Sequence, residues 1–99
     1  YGSGWDGSGG LSNMNNSTFL GYGANSSVDN ITNSTAIGAG AQVTRSNQVV
    51  IGNGNVTQTV LRGNVAIGGR VCVWNGANYT IIRFAPSSIT PIYSTSTSC

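Results

Sequence analysis

Apolar and polar positions come in short bursts along this chain. Four bursts share one form: TFLG at residues 18–21, TAIG at 35–38, VVIG at 49–52 and VAIG at 65–68. Each runs from a β-branched residue through an apolar residue and a large aliphatic to a glycine. The closing glycines, Gly21, Gly38, Gly52 and Gly68, stand 17, 14 and 16 residues apart. A second Gly-rich cluster follows most of them: GYGANSSV, GAGAQV and GNGNV. Each unit therefore predicts a short strand, a Gly turn, a second short strand and a polar loop. Recurrence at a near-fixed period marks a repeat architecture. A turn of this length holds two strands of about four residues and two corners, and successive turns stack about 4.8 Å apart.

Strand alternation sorts the repeats into rows. Leu20, Ile37, Ile51 and Ile67 are expected as one aliphatic ladder in the core. Phe19, Ala36, Val50 and Ala66 point the opposite way. That second row is also apolar, and strands apolar on both sides are buried on both sides. It is therefore expected to be the oligomer interface. Gly21, Gly38, Gly52 and Gly68 are expected at corners where a Cβ would clash.

The pattern changes after residue 69. RVCVW and YTIIRF are alternating runs joined by a turn that contains Asn75-Gly76, a hairpin signal. Residues 85–99 carry Pro86 and Pro91, which suit extended or edge structure. This tail docks either on a neighbour's sheet by strand addition or on its own hairpin. The expected organisation is a Gly/Ser-rich arm over 1–16, β-roll repeats over 17–69, a hairpin over 70–84 and an extended tail over 85–99. Tyr1 and Trp5 would anchor the arm, on a neighbouring subunit or on its own domain. The fold class is all-β: a parallel β-roll with Gly corners, capped by a hairpin, since an open repeat stack needs terminal caps.

Composition supports this class and removes others. Val, Ile and Thr number 27 against three Leu, with 15 Gly, 13 Ser and 12 Asn. β-branched residues suit pleated sheets, and Gly, Ser and Asn supply turns. The charged residues are four Arg and two Asp, with no Lys, Glu or His. General acid–base catalysis lacks its groups, and no His or Cys₄ metal site can be built. No catalytic residue, metal site or cofactor is expected. A net charge of +2 is too weak for a nucleic-acid footprint. The Gly-rich strings lack the Lys of a phosphate loop. Asp6 and Asp29 read as turn caps rather than a Ca²⁺ site. No apolar run is long enough to span a membrane. In a chain this small, oligomerisation is the natural way to hide more surface.

Two further features bear on location. Cys72 and Cys99 form an even pair, and a disulfide within one chain or between two is expected of an extracellular composition. N-x-[ST] sequons begin at Asn15, Asn16, Asn25, Asn30, Asn33, Asn55 and Asn78. Seven exceeds the roughly three expected by chance, which makes them glycosylation candidates in a source that modifies asparagine. Trp5, Tyr22, Trp74, Tyr79 and Tyr93 offer rings to a surface glycan, although Trp74 and Tyr79 read first as a cross-strand pair facing each other across the hairpin.

The stretch NSTAIGAGAQVTRSNQVVIGN, residues 33–53, resembles the head repeats of trimeric autotransporter adhesins of the YadA type. Related repeats occur in phage tail-fibre proteins. The resemblance covers about residues 17–69. It implies a left-handed parallel β-roll, three chains to a head and no catalytic residues. The function expected is that of a non-enzymatic structural subunit of an extracellular homo-oligomeric fibre, at a cell or virion surface. The alternative is the glycan- or receptor-binding tip of such a fibre.

Overall fold

A computed structural model describes residues 2–4, 13–87 and 89–99. The described residues are all-β, with eight strands and no helix. None, accordingly, forms a helix long and apolar enough to cross a membrane. The chain divides into two compact units, Tyr1–Thr59 and Val60–Cys99.

In the first unit, strands β1 (Thr18–Leu20), β3 (Thr35–Ile37) and β5 (Val49–Ile51) form one parallel sheet in the order β1-β3-β5. Strands β2 (Asn25–Ser26) and β4 (Gln42–Val43) pair in parallel as a second. Equivalent repeat positions are in register: Thr18 with Thr35 and Val49, Leu20 with Ile37 and Ile51. The 17- and 14-residue spacings do not break this register. The three extra residues of the longer turn fall in the exposed loop at residues 27–30.

The corners explain the curl. Gly21 has φ +127, and a Cβ there would stand 2.7 Å from the Gly38 carbonyl carbon. No side chain fits between two such closely stacked backbones. Asparagines form a second corner column. Asn16, Asn33 and Asn47 have φ of 51, 54 and 59, the left-handed conformation that Asn tolerates better than other non-Gly residues. The Asn33 Nδ2 donates to Asn47 Oδ1 at 3.0 Å. At the start of the chain, Gly4 N–H donates to Ala24 C=O at 2.7 Å, and the Ser3 hydroxyl donates to Gly21 C=O. The described part of the arm therefore lies on its own first turn. Tyr1, Trp5 and Asp6 fall outside the described residues.

The expected facing of the rows is reversed. The core consists of Ala24, Ile31, Ala36, Ala41 and Val43, with Met14, Phe19 and Val50 packed against it. Ala36 is fully buried, whereas Leu20, Ile37 and Ile51 are exposed. Phe19, Ala36 and Val50 are thus core residues rather than an interface, and Leu20, Ile37 and Ile51 are not the core ladder. The reason is space. The middle strand faces Ala24 and Ala41 across a thin interior, which accepts alanine at position 36. The larger Phe19 and Val50 sit on the end strands. Ser26 and Ser34 are buried as well, each bonded to nearby backbone: Ser26 Oγ to Val28 C=O at 2.7 Å, Ser34 Oγ to Arg45 C=O at 3.0 Å.

The fourth repeat does not join the sheet. Strand β5 is its last member. Residues 65–67 form no strand, Ala66 and Ile67 are exposed, and a Cβ on Gly68 would meet nothing within 4 Å. Ile67 is therefore not a core residue, Ala66 does not extend the inward row, and Gly68 is not a crowded corner. The cause lies three residues after each corner. Ala24 and Ala41 occupy that position, are fully buried, and donate their N–H to the corner carbonyls of Gly21 and Gly38 at 3.2 and 3.1 Å. After Gly52 the position holds Asn55, whose N–H donates instead to Asn53 Oδ1 at 2.8 Å. The chain turns there, with Val56 N–H donating to Asn53 C=O at 3.1 Å. Val56 comes to lie over Gly52, with its Cγ2 only 2.8 Å from where a Cβ would stand.

The second unit is a three-stranded antiparallel sheet in the order β6-β7-β8: β6 (Val71–Trp74), β7 (Tyr79–Phe84) and β8 (Pro91–Ser96). The expected turn joins β6 and β7. Asn75 Oδ1 accepts from the N–H groups of Ala77 and Asn78 at 2.9 and 2.8 Å. The tail pairs with its own hairpin, from Tyr79–Ser96 to Phe84–Pro91. Pro91 opens the outer strand, where a missing N–H is tolerated. Cys72 and Cys99 are joined in a disulfide within the chain, 27 residues apart in sequence. Ile81 is the one buried apolar residue among those described in this unit.

Two predictions follow from these constraints. Gly21→Ala should destabilise the first unit by about 3 kcal/mol, the sum of strain and backbone collision. Gly23→Ala, at φ +68 with nothing within 4 Å, should cost about 1 kcal/mol. Urea denaturation at one fixed protein concentration checks the difference; equal costs would contradict the close backbone approach. Cys72→Ser should destabilise the second unit by about 3.5 kcal/mol through loss of loop closure. Amide exchange should then show β8 opening while β1 and β3 stay protected.

Candidate oligomer interface

In-register stacking turns single side chains into columns. The outward positions of β1, β3 and β5 align Leu20, Ile37 and Ile51 in one column and Thr18, Thr35 and Val49 in the other. Leu20 is 62% exposed, Ile37 37%, Val49 66% and Ile51 63%. With strands about 4.8 Å apart, the aliphatic column forms a continuous strip about 10 Å long. Neither column contains a charged residue. Exposed single aliphatics are ordinary; here the register sets three of them side by side on one sheet face.

The sheet also has an open edge. In a parallel pair, one strand's alternate residues bond to the other. Here Thr18 N–H donates to Ser34 C=O at 2.8 Å, Thr35 N–H to Gln48 C=O at 2.9 Å, and Gly52 N–H to Ile37 C=O at 2.8 Å. By the same alternation, the N–H and C=O groups of Val49 and Ile51 face away from the stack. Further exposed aliphatics follow along the chain at Val56, Val60, Leu61, Val65 and Ile67.

The other candidates are dispersed. The sequons are scattered over corners, loops, turns and, at Asn25, strand β2. Several of their amides already serve the fold. Asn25 Oδ1 accepts from Gln42 Nε2 at 3.2 Å, Asn30 Oδ1 from Asn13 Nδ2 at 2.7 Å, and Asn78 Oδ1 from Asn75 Nδ2 at 2.8 Å. Asn15 forms an isolated parallel bridge with Thr32. Asn16 and Asn33 are corner residues. Asn55 is exposed, and its backbone N–H holds the turn after Gly52. Trp74 and Tyr79 meet as a cross-strand pair with ring centroids 5.0 Å apart, tilted by 59°. Asp29 lies in the exposed loop at residues 27–30.

Sequence reasoning missed the asparagine corners and the outward strip. The asparagines carry a readable signal: Asn16, Asn33 and Asn47 each precede a repeat strand by two residues, so they share the spacing of the glycines. Gly63 keeps the same phase and a φ of +99 before the fourth repeat. The outward strip had no such mark, because both faces of the repeat strands are apolar.

Comparison with protein-family models, curated proteins and solved structures gives no match for this chain.

Proposed function

We propose that this chain is a non-enzymatic structural subunit of an extracellular homo-oligomeric fibre, with residues 17–59 forming a short β-roll. The observation that carries this reading is the uncharged aliphatic column Leu20–Ile37–Ile51, exposed on a parallel in-register sheet. Three copies set their columns against one another around a common axis. Each chain buries its strip there, and the parallel ladders run along the fibre. The outward N–H and C=O groups of Val49 and Ile51 offer a pairing edge at one end of each stack. The strip alone falls short of the roughly 800 Å² per partner of a standard interface, so the neighbouring Thr18–Thr35–Val49 column takes part as well. The Cys72–Cys99 disulfide fits an oxidising compartment, where such bonds persist. The low charge leaves few ion pairs for salt to screen.

Sedimentation of the purified chain at micromolar concentration tests this reading, and a trimer or larger species is expected. The double variant Ile37→Asp/Ile51→Asp places two carboxylates in the strip and should raise the dissociation constant at least about a hundredfold. Its far-UV circular dichroism should stay unchanged, because both side chains point away from the core. A folded, monomeric parent chain at all concentrations would overturn the reading.

A further inference from the structure

The parallel sheet of the first unit ends at β5, whose outer edge pairs with no strand. Gln48 C=O and Gly52 N–H bond inward, to Thr35 and Ile37. The main-chain groups of Val49 and Ile51 alternate with these and point outward. β5 carries no charged residue and no proline, two devices that keep a strand edge from pairing. The first turn of the stack differs, because the arm lies against it through the bond from Gly4 N–H to Ala24 C=O.

The segment that follows lacks partners too. Residues 57–69 are all exposed, and none makes a hydrogen bond among the described residues. Four of them, Val60, Leu61, Val65 and Ile67, are large aliphatics, each more than half exposed. Val65–Gly68 matches the residue types of Val49–Gly52 position by position. Its approach is preset as well. Asn16, Asn33 and Asn47 stand at positive φ two residues before their strands, and Gly63, at φ +99, stands two residues before Val65. The repeat stops at Gly68, because β6 begins three residues later and belongs to the antiparallel sheet. The chain thus carries one unpaired edge and one unpaired strand segment of the same repeat.

We propose that residues 65–67 of one copy add to β5 of a second copy as a parallel strand. The register sets Val65 on Val49, Ala66 on Val50 and Ile67 on Ile51. The proposal rests on the reading of this chain as a self-associating subunit and names a contact that joins its copies. The bonds of the existing rungs carry over. Val49 N–H donates to Asn64 C=O as Thr35 N–H does to Gln48, and Gly68 N–H donates to Ile51 C=O as Gly52 N–H does to Ile37. Between them, Ala66 turns its N–H and C=O toward β5, while Val65 and Ile67 turn theirs away. Ala66 continues the inward row with the small side chain that Ala36 uses. Ile67 extends the column Leu20–Ile37–Ile51. In such strand addition the main-chain bonds supply affinity, and the alternation of side chains fixes register. Val56 is the gate. Its half-exposed side chain fills the space over Gly52 that the Gly38 backbone fills over Gly21, and it swings aside when the strand adds.

Sedimentation and amide exchange on the full, disulfide-bonded chain test the proposal, with two neighbouring prolines as probes. Ala66→Pro deletes an N–H that pairs with β5 and should raise the dissociation constant at least about tenfold. Val65→Pro deletes an N–H that faces away, at the first residue of the strand, and should change the constant less than about threefold. Neither proline breaks a bond of the single chain, because residues 65–67 form no strand there. Val56→Ala clears the space over Gly52 and should lower the constant; a rise would overturn the register. In the parent chain, exchange at Val49, Ile51, Ala66 and Gly68 should slow as protein concentration rises, while Val65 and Ile67 stay fast. Association that withstands Ala66→Pro sinks the proposal, and so does equal weakening by both prolines. Protection of Val49 and Ile51 that ignores concentration means pairing within one chain and sinks it too. The variant Ile37→Asp, on the middle strand, separates this contact from the strip. If Ile37→Asp dissociates the chains and Ala66→Pro does not, the strip reading stands and strand addition fails. If Ala66→Pro dissociates them and Ile37→Asp does not, strand addition stands and the strip reading falls.

Discussion

In-register parallel pairing between β1, β3 and β5 is the constraint on which residues 1–59 depend. A parallel ladder closes only when equivalent residues of successive turns meet at the same height. Each turn must therefore bring the chain back in phase, whatever its length. Two corner columns do this. At the glycine corner Gly21 lies too close to the Gly38 backbone for a Cβ; a Cβ on Gly38 would meet the Gly52 backbone at 3.5 Å, ordinary contact and not the expected clash, and at Gly52 it is the Val56 side chain that crowds the site. At the asparagine corner the backbone turns through the left-handed region, and the amides of Asn33 and Asn47 bond to each other from turn to turn. Extra residues are tolerated because they are expelled into a loop at 27–30 rather than into the ladder.

The same geometry sets the width of the interior. Ala24, Ala36 and Ala41 pack at its centre with no exposure. A turn whose inward positions are that narrow can bury little apolar surface of its own, as small units in general bury a small fraction. Ile31 and Val43 fill further inward sites, together with buried Ser26 and Ser34, whose hydroxyls bond to nearby carbonyls. The large aliphatics of each repeat are left on the outside, aligned by the register into a strip. The ladder that holds the turns together also gathers Leu20, Ile37 and Ile51 into one exposed aliphatic column.

The second unit reaches stability by a different route. Its sheet buries only Ile81 among the described residues, so packing contributes little. A disulfide from β6 to the end of the chain and the Trp74–Tyr79 ring pair stand in for a core. A scaffold closed this way leaves much of its sheet accessible.

The repeat period, the three in-phase strands, the Gly corners at 21, 38 and 52, and the 75–76 hairpin turn were readable from residue order. These are local matters: a glycine where φ must be positive, a β-branched residue where the chain is extended. Four things were not readable from it. Which apolar row faces inward depends on the space that Ala24 and Ala41 leave across the interior, and hydrophobicity alone favours the wrong row. The fourth repeat matches the others in its own four residues, yet Asn55, ten residues earlier, occupies the position where Ala24 and Ala41 close the preceding turns. The tail had two equivalent homes, and only pairing with β7 selects its own sheet. The even cysteine pair left two connectivities open until β6 brought Cys72 to within 5.8 Å of Cys99 between Cα atoms. Sequence by itself determined where this chain bends and where it extends, because those choices are made residue by residue. Tertiary structure decided what is inside, because burial depends on the volume left by residues that meet only once the turns are stacked.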